Sequence, residues 1–135
     1  MIEFELIARL LLALALGALV GFERERTHRP AGFRTHMLVC LGACLITTAV
    51  FQQFGSDSAA RIIANIVVCI GFLGAGSIIA SGKHVQGVTT AASIWVVAGI
   101  GLAVGIGSYE LAIISSILVY LILEFFKFEK TFLSK

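Results

Sequence analysis

Charge is scarce in this chain. Ten Lys or Arg and eight Asp or Glu make up 13% of 135 residues, about half the share of an ordinary soluble domain. A soluble fold of this size has too little polar surface here to cover its apolar residues. The few cations form no basic stripe of the kind a phosphate backbone requires, so nucleic acid is excluded as a partner. Proline occurs once, at Pro30, so no long segment is broken by a residue without a backbone donor. The three cysteines, Cys40, Cys44 and Cys69, are odd in number and lie within apolar stretches, which argues against a disulfide framework. Cys40 and Cys44 share a helix face at i,i+4, but zinc needs two further ligands, and all three read as small buried hydrophobes. No Ser–His–Asp, zinc or paired-carboxylate arrangement appears, and His28, His36 and His84 lack metal-ligand spacing. No catalytic residue, metal or cofactor is therefore expected.

What the chain has in abundance is long apolar runs. Hydrophobic residues make up 59% and mean hydropathy is +1.01. The clearest runs are Leu6–Phe22, Thr35–Phe51, Ile62–Ala80, Val88–Gly107 and Leu111–Phe126. Each matches the ~30 Å hydrocarbon core of a bilayer when wound as a helix. This predicts an all-α, polytopic membrane bundle of about five transmembrane helices, with residues 1–135 as a single domain and the lipid bilayer as its solvent. The first run starts with Glu3 and Glu5 and is long for a signal peptide, so it reads as a retained helix.

Charge placement orients the bundle. With five alternating helices, Arg24, Arg26, Arg29, Arg34, Lys83, Lys127, Lys130 and Lys135 fall on one side, and Arg9 and Arg61 toward the other. Positive charge marks the cytoplasmic face, which predicts the N-terminus outside and the C-terminus inside.

Small residues suggest how the helices pack. Gly17-x-x-x-Gly21 and the row Gly99, Gly101, Gly105, Gly107 permit close backbone approach, within one chain or in a homodimer. Glu5 precedes Arg9 by four residues, the favourable order for a helical ion pair.

Four places keep polar groups where lipid would reject them. Glu23, Arg24, Glu25, Arg26 and then Arg34, Thr35 and His36 form a charge cluster at one mouth of the first two runs. It reads either as a solvated positive-inside loop or as a network that pins the loop or holds an ion. Asp57, Arg61, Asn65 and Cys69 are four apart and share one helix face. That stripe enters the membrane from outside, as capping and helix ties or as a solute path. Gly71, Gly74 and Gly76 mark either an unwound segment of the kind that builds transporter sites or close helix packing. Thr89, Thr90 and Ser93 stand near the start of the fourth run, as an N-cap with back-bonded hydroxyls or as a site for an anion or carbonyl oxygen.

These stretches together resemble the MgtC/SapB membrane proteins. The resemblance rests on Gly-Phe-Glu-Arg-Glu-Arg followed by Pro-Ala-Gly-Phe-Arg-Thr-His-Met-Leu-Val, on Gly-Phe-Leu-Gly-Ala-Gly-Ser-Ile-Ile, and on Gly-Val-Thr-Thr-Ala-Ala-Ser-Ile-Trp. It covers nearly the whole chain. It implies a bacterial inner-membrane protein linked to growth in low magnesium and to survival inside host cells. It carries over Glu23, Arg24, Arg34, Thr35 and His36, then Asp57 and Arg61, then Gly71, Gly74 and Gly76, and finally Thr89, Thr90 and Trp95. Many relatives carry a soluble ACT-like C-terminal domain, which is not expected here. Asn65 stands where a glutamine is expected in many relatives. Two functions follow as expectations. One is a small ion or solute transporter. The other is a non-transporting regulator packed against another membrane protein such as the ATP synthase. A dedicated Mg²⁺ carrier fits less well, because Mg²⁺ prefers carboxylate oxygens and waters and all eight carboxylates lie near the predicted membrane edges.

Overall fold

The computed structural model describes the backbone of residues 2–81 and 84–133 and the side chains of 4–80 and 84–125. Four helices and one small hairpin follow in order: α1 (Ile2–Arg26), α2 (Phe33–Ala75), β1 (Ile79–Ser81), β2 (His84–Gln86), α3 (Val88–Gly105) and α4 (Tyr109–Leu133). Among the described residues, α1 from Phe4, α2 and α3 are each long and apolar enough to cross a membrane. The all-α helical bundle expected from the apolar runs is the architecture observed.

The second and third runs join into one 43-residue helix, broken at Gly55. A straight helix of that length would span ~65 Å. Instead both of its ends meet the start of α3: His36 bonds to Ser93, and Gly74 packs on Ala91. The chain therefore reverses at Gly55, whose φ of 75° and ψ of −176° fall in a region essentially reserved for glycine. A first arm (33–54) runs parallel to α3, and a second arm (56–75) returns antiparallel to it.

Backbone contact through small residues closes the bundle. A Cβ on Gly17 would lie 2.8 Å from the His36 carbonyl, and one on Gly21 2.8 Å from the Phe33 Cα. A Cβ on Gly101 would collide with the Cys40 carbonyl, and one on Gly105 would lie 2.7 Å from the Thr47 Cβ. Of the two readings of these faces, packing within one chain and packing in a homodimer, the contacts described are of the first kind, and of the α3 row only Gly99 is open. The core they frame contains Val20, Cys40, Cys44, Ile94, Val97 and Val104.

Two expectations change. The third run was read as helical to Ala80, but α2 ends at Ala75 and β1 pairs antiparallel with β2 in the register Ile79 to Gln86. The glycine-rich stretch is not unwound at midspan. Gly71 and Gly74 are helical, and Gly76 is the helical C-cap. The chain enters α3 through Gly87, at φ 87°, where a Cβ would collide with the Ser77 carbonyl.

Candidate functional site

Three polar loci stand out against this apolar frame. The first lies where α1, the first arm and α3 begin or end together. Glu23 and Arg24 close α1 and are 1% and 4% exposed, while His36 is fully buried. Arg24 Nη1 reaches Glu23 Oε2 at 3.4 Å, long for a charge-assisted bond. Its Nε is buried without a partner. The guanidinium of this largely buried arginine thus has one weak side-chain contact and one buried donor without a partner among the described residues, a costly arrangement.

His36 faces this pair's end of the bundle and links two helices. Its Nδ1 lies 2.8 Å from the Gly32 carbonyl, and its Nε2 3.0 Å from Ser93 Oγ. Ser93 Oγ in turn lies 2.8 Å from the Thr90 carbonyl. A carbonyl only accepts, so Nδ1 donates to Gly32. The one hydroxyl proton of Ser93 is then offered to two acceptors, Nε2 and the Thr90 oxygen. The chain of three contacts takes one more proton than a neutral ring and a hydroxyl supply.

The rest of the expected charge cluster is divided by the fold. Glu25 turns outward and accepts a bond from the Phe33 N–H at 2.9 Å, capping α2 with a carboxylate at the helix's positive end. Arg26 bonds Glu124 of α4 at 2.7 Å. Arg34 is exposed and Thr35 half-buried, and both line an open groove with Phe22, Glu25, Pro30 and Phe33. The alternation of Glu and Arg therefore encodes separate attachments rather than one network. Thr90 and Ser93 are buried, Thr89 is exposed, and Trp95 is 51% exposed.

The second locus is the opposite end of the bundle. Arg9 Nη1 donates to the Gly105 carbonyl at 2.8 Å, and Nη2 to Glu5 at 2.6 Å. The guanidinium lies 5.7 Å from the Tyr109 ring centroid. It caps the negative end of α3 and fixes α1 to it. The Glu5 pair was visible as i,i+4 spacing; the bond to a carbonyl 96 residues away was not. Thr48 Oγ1 also donates to Gly105 at 3.4 Å. Thr47, Thr48 and Ser116 are buried polar residues that sequence reasoning missed: Ser116 back-bonds the Ala112 carbonyl of its own helix at 2.8 Å, and Thr47 Oγ1 is buried without a partner.

The third locus is the stripe on the second arm. Asp57, Arg61, Asn65 and Cys69 do share one face, and that face is exposed. Ile63, Ile66 and Ile70 occupy the side packed on the core. The stripe therefore lies on the outside of the bundle, not along its interior. Among the described residues no group of three or more His, Cys, Asp or Glu is placed to hold a metal ion.

The same arrangement of motifs is matched by the MgtC family profile over residues 10–132. The chain belongs to the MgtC family. Protein MgtC of Salmonella typhimurium strain LT2 is 44% identical over 119 residues, covering 88% of this chain and 51% of that protein. The putative magnesium transporter YhiD of Escherichia coli K12 is 40% identical over 131 residues, 90% of this chain and 60% of its own length. Protein SrpB of Synechococcus elongatus is 39% identical over 133 residues, with 88% and 73% covered. The chain thus spans about half the length of the MgtC proteins it matches. No solved structure matches it. Family and apolar helices together make this MgtC-family chain a membrane protein.

Proposed function

We propose that this chain is a multi-pass protein of the bacterial cytoplasmic membrane, with five spans, the N-terminus outside and the C-terminus inside. It serves magnesium-linked adaptation as a small ion- or solute-handling protein, with Glu23, Arg24, His36 and Ser93 as its working centre. The observation that carries this reading is the near-complete burial of the Glu23–Arg24 pair at the same end of the bundle as the His36–Ser93 contacts, which are one proton short. Ionisable residues held inside a membrane bundle are retained for ion or proton pathways far more often than for stability. The printed description of the YhiD relative as a putative magnesium transporter agrees with the class. A hydrated cation, an anion or a small polar solute suits the site better than bare Mg²⁺, since Glu23 is the only carboxylate buried there.

The test pairs function with folding. Glu23→Gln and His36→Ala should leave a folded protein in detergent and abolish both growth in low magnesium and ion flux into liposomes holding only this chain. Normal growth and flux in both variants would overturn the site. If the parent chain supports growth yet moves no ion in liposomes, the regulator reading replaces transport.

A further inference from the structure

The second arm of α2 carries a face that none of the described residues covers. Asp57, Arg61, Asn65 and Cys69 are exposed along it, flanked by exposed Ala60 and Ala64. Among the described residues Asp57 and Arg61 join no ion pair, although they stand at i,i+4. Asn65 lies ten residues past the Gly55 turn, about 15 Å along the helix, which is the middle of a hydrocarbon core ~30 Å thick. Lipid offers an amide nothing at that depth.

We propose that this face is a homodimer interface, completed by the same face of a second copy. Copies inserted in one orientation are related by a two-fold axis along the membrane normal. Groups nearest the axis then meet their own copies at equal depth, and groups one turn apart meet diagonally. Asn65 meets Asn65 of the second copy, and an amide is both donor and acceptor, so it pairs with itself, as asparagine does within parallel helix pairs. Asp57 and Arg61 differ in depth by one turn, so each copy's carboxylate reaches the other's guanidinium, twice over. A stripe of one charge sign would repel its copy; here the diagonal pairs across the axis are of opposite sign. Ala60-x-x-x-Ala64 supplies the small surface that lets two membrane helices approach. The stripe follows the i+4 ridge, which favours a right-handed crossing of about −40° to −50°. Another membrane protein would need an amide and an ion pair at the same depths; a second copy has them by construction. The inference rests on the membrane-spanning part of the function proposed above and not on transport.

The experiment is disulfide trapping in native membranes, with the full chain in a Cys69→Ser background; Cys40 and Cys44 are buried. Ala64→Cys should trap a dimer under mild oxidation several-fold more than Ile122→Cys, a control on the exposed side of α4. Adding Asn65→Leu should lower the trapped fraction about three- to twentyfold, the factor for one interhelical hydrogen bond. Asp57→Arg or Arg61→Asp alone should lower it, and the two together should restore it. Thermal stability in detergent, measured alongside, separates loss of the dimer from loss of the fold. Equal trapping at 64 and 122, insensitivity to Asn65→Leu, or trapping of a different protein at 64 would each overturn the proposal. None of these readings depends on flux or growth, so the dimer and the Glu23–His36 centre stand or fall separately.

Discussion

At the scale of single residues, the sharpest contrast lies two positions apart on α3. Gly99 has open space where a side chain would go, whereas a Cβ on Gly101 meets the Cys40 carbonyl. Gly101→Ala should cost about 1–3 kcal/mol through overpacking, with a lowered unfolding temperature in detergent, and Gly99→Ala should be neutral or slightly stabilising. Equal effects would mean that α3 does not press on the first arm as described. Arg9 gives a second test. Its removal as Arg9→Met leaves the Gly105 carbonyl without its charged donor, a loss of about 1.5–3 kcal/mol for a hydrogen bond to a charged group. Glu5→Gln should cost less, because Glu5 is 61% exposed in that pair and water screens an exposed ion pair. The sequence showed the Glu5–Arg9 spacing but could not show these differences. Gly99 and Gly101 look alike in a row of small residues, and only the position of the neighbouring helix distinguishes them.

At the scale of elements, Gly55 decides the shape of α2. Gly55→Ala meets no neighbour, so its whole effect is backbone strain at φ 75°, of order 1–3 kcal/mol. Gly42→Ala, equally open but helical, should instead gain up to about 1 kcal/mol of helix propensity. Circular-dichroism melts of the two variants in the same detergent check the sign of the difference. The apolar runs located the helices because a membrane span is set by length and hydropathy. They did not locate the hairpin at 79–86, since Ile78, Ile79 and Ala80 continue the apolar run and break no pattern. Nor did they show which way the second arm faces. It is apolar on nearly every side, and a helix without an amphipathic stripe gives no direction to its core. Asn65 therefore read equally well as lining an interior or facing out, and the fold placed it outside.

For the whole molecule, the ends of the elements divide into two sets. Arg24, Arg26, Arg34 and the strand pair gather at one end, and Arg9, Gly55, Gly105 and Tyr109 at the other. Lys83 and Lys135, and the side chains of Lys127 and Lys130, lie outside the described residues, so the orientation argument rests here on the arginines. Tags at the two termini should label on opposite sides of the membrane, the N-terminal one from outside. Both tags on one side would sink the five-span topology. Arg26–Glu124 ties α4 to α1 across 98 residues and stays partly exposed, at 46% and 35%. High salt should loosen α4 before the glycine-packed α1–α2–α3 core, with hydrogen exchange rising first along α4.

The reversal at Gly55 also bears on how the chain is made. One glycine between two helical arms leaves no slack, so neither arm can settle in the bilayer while the other waits outside it. With the five spans and the orientation proposed above, the pair has to enter as a single insertion unit, and Asp57 and Arg61, sited just past the turn, have to be carried across the hydrocarbon with it. On that topology the biogenesis machinery handles four insertion events rather than five.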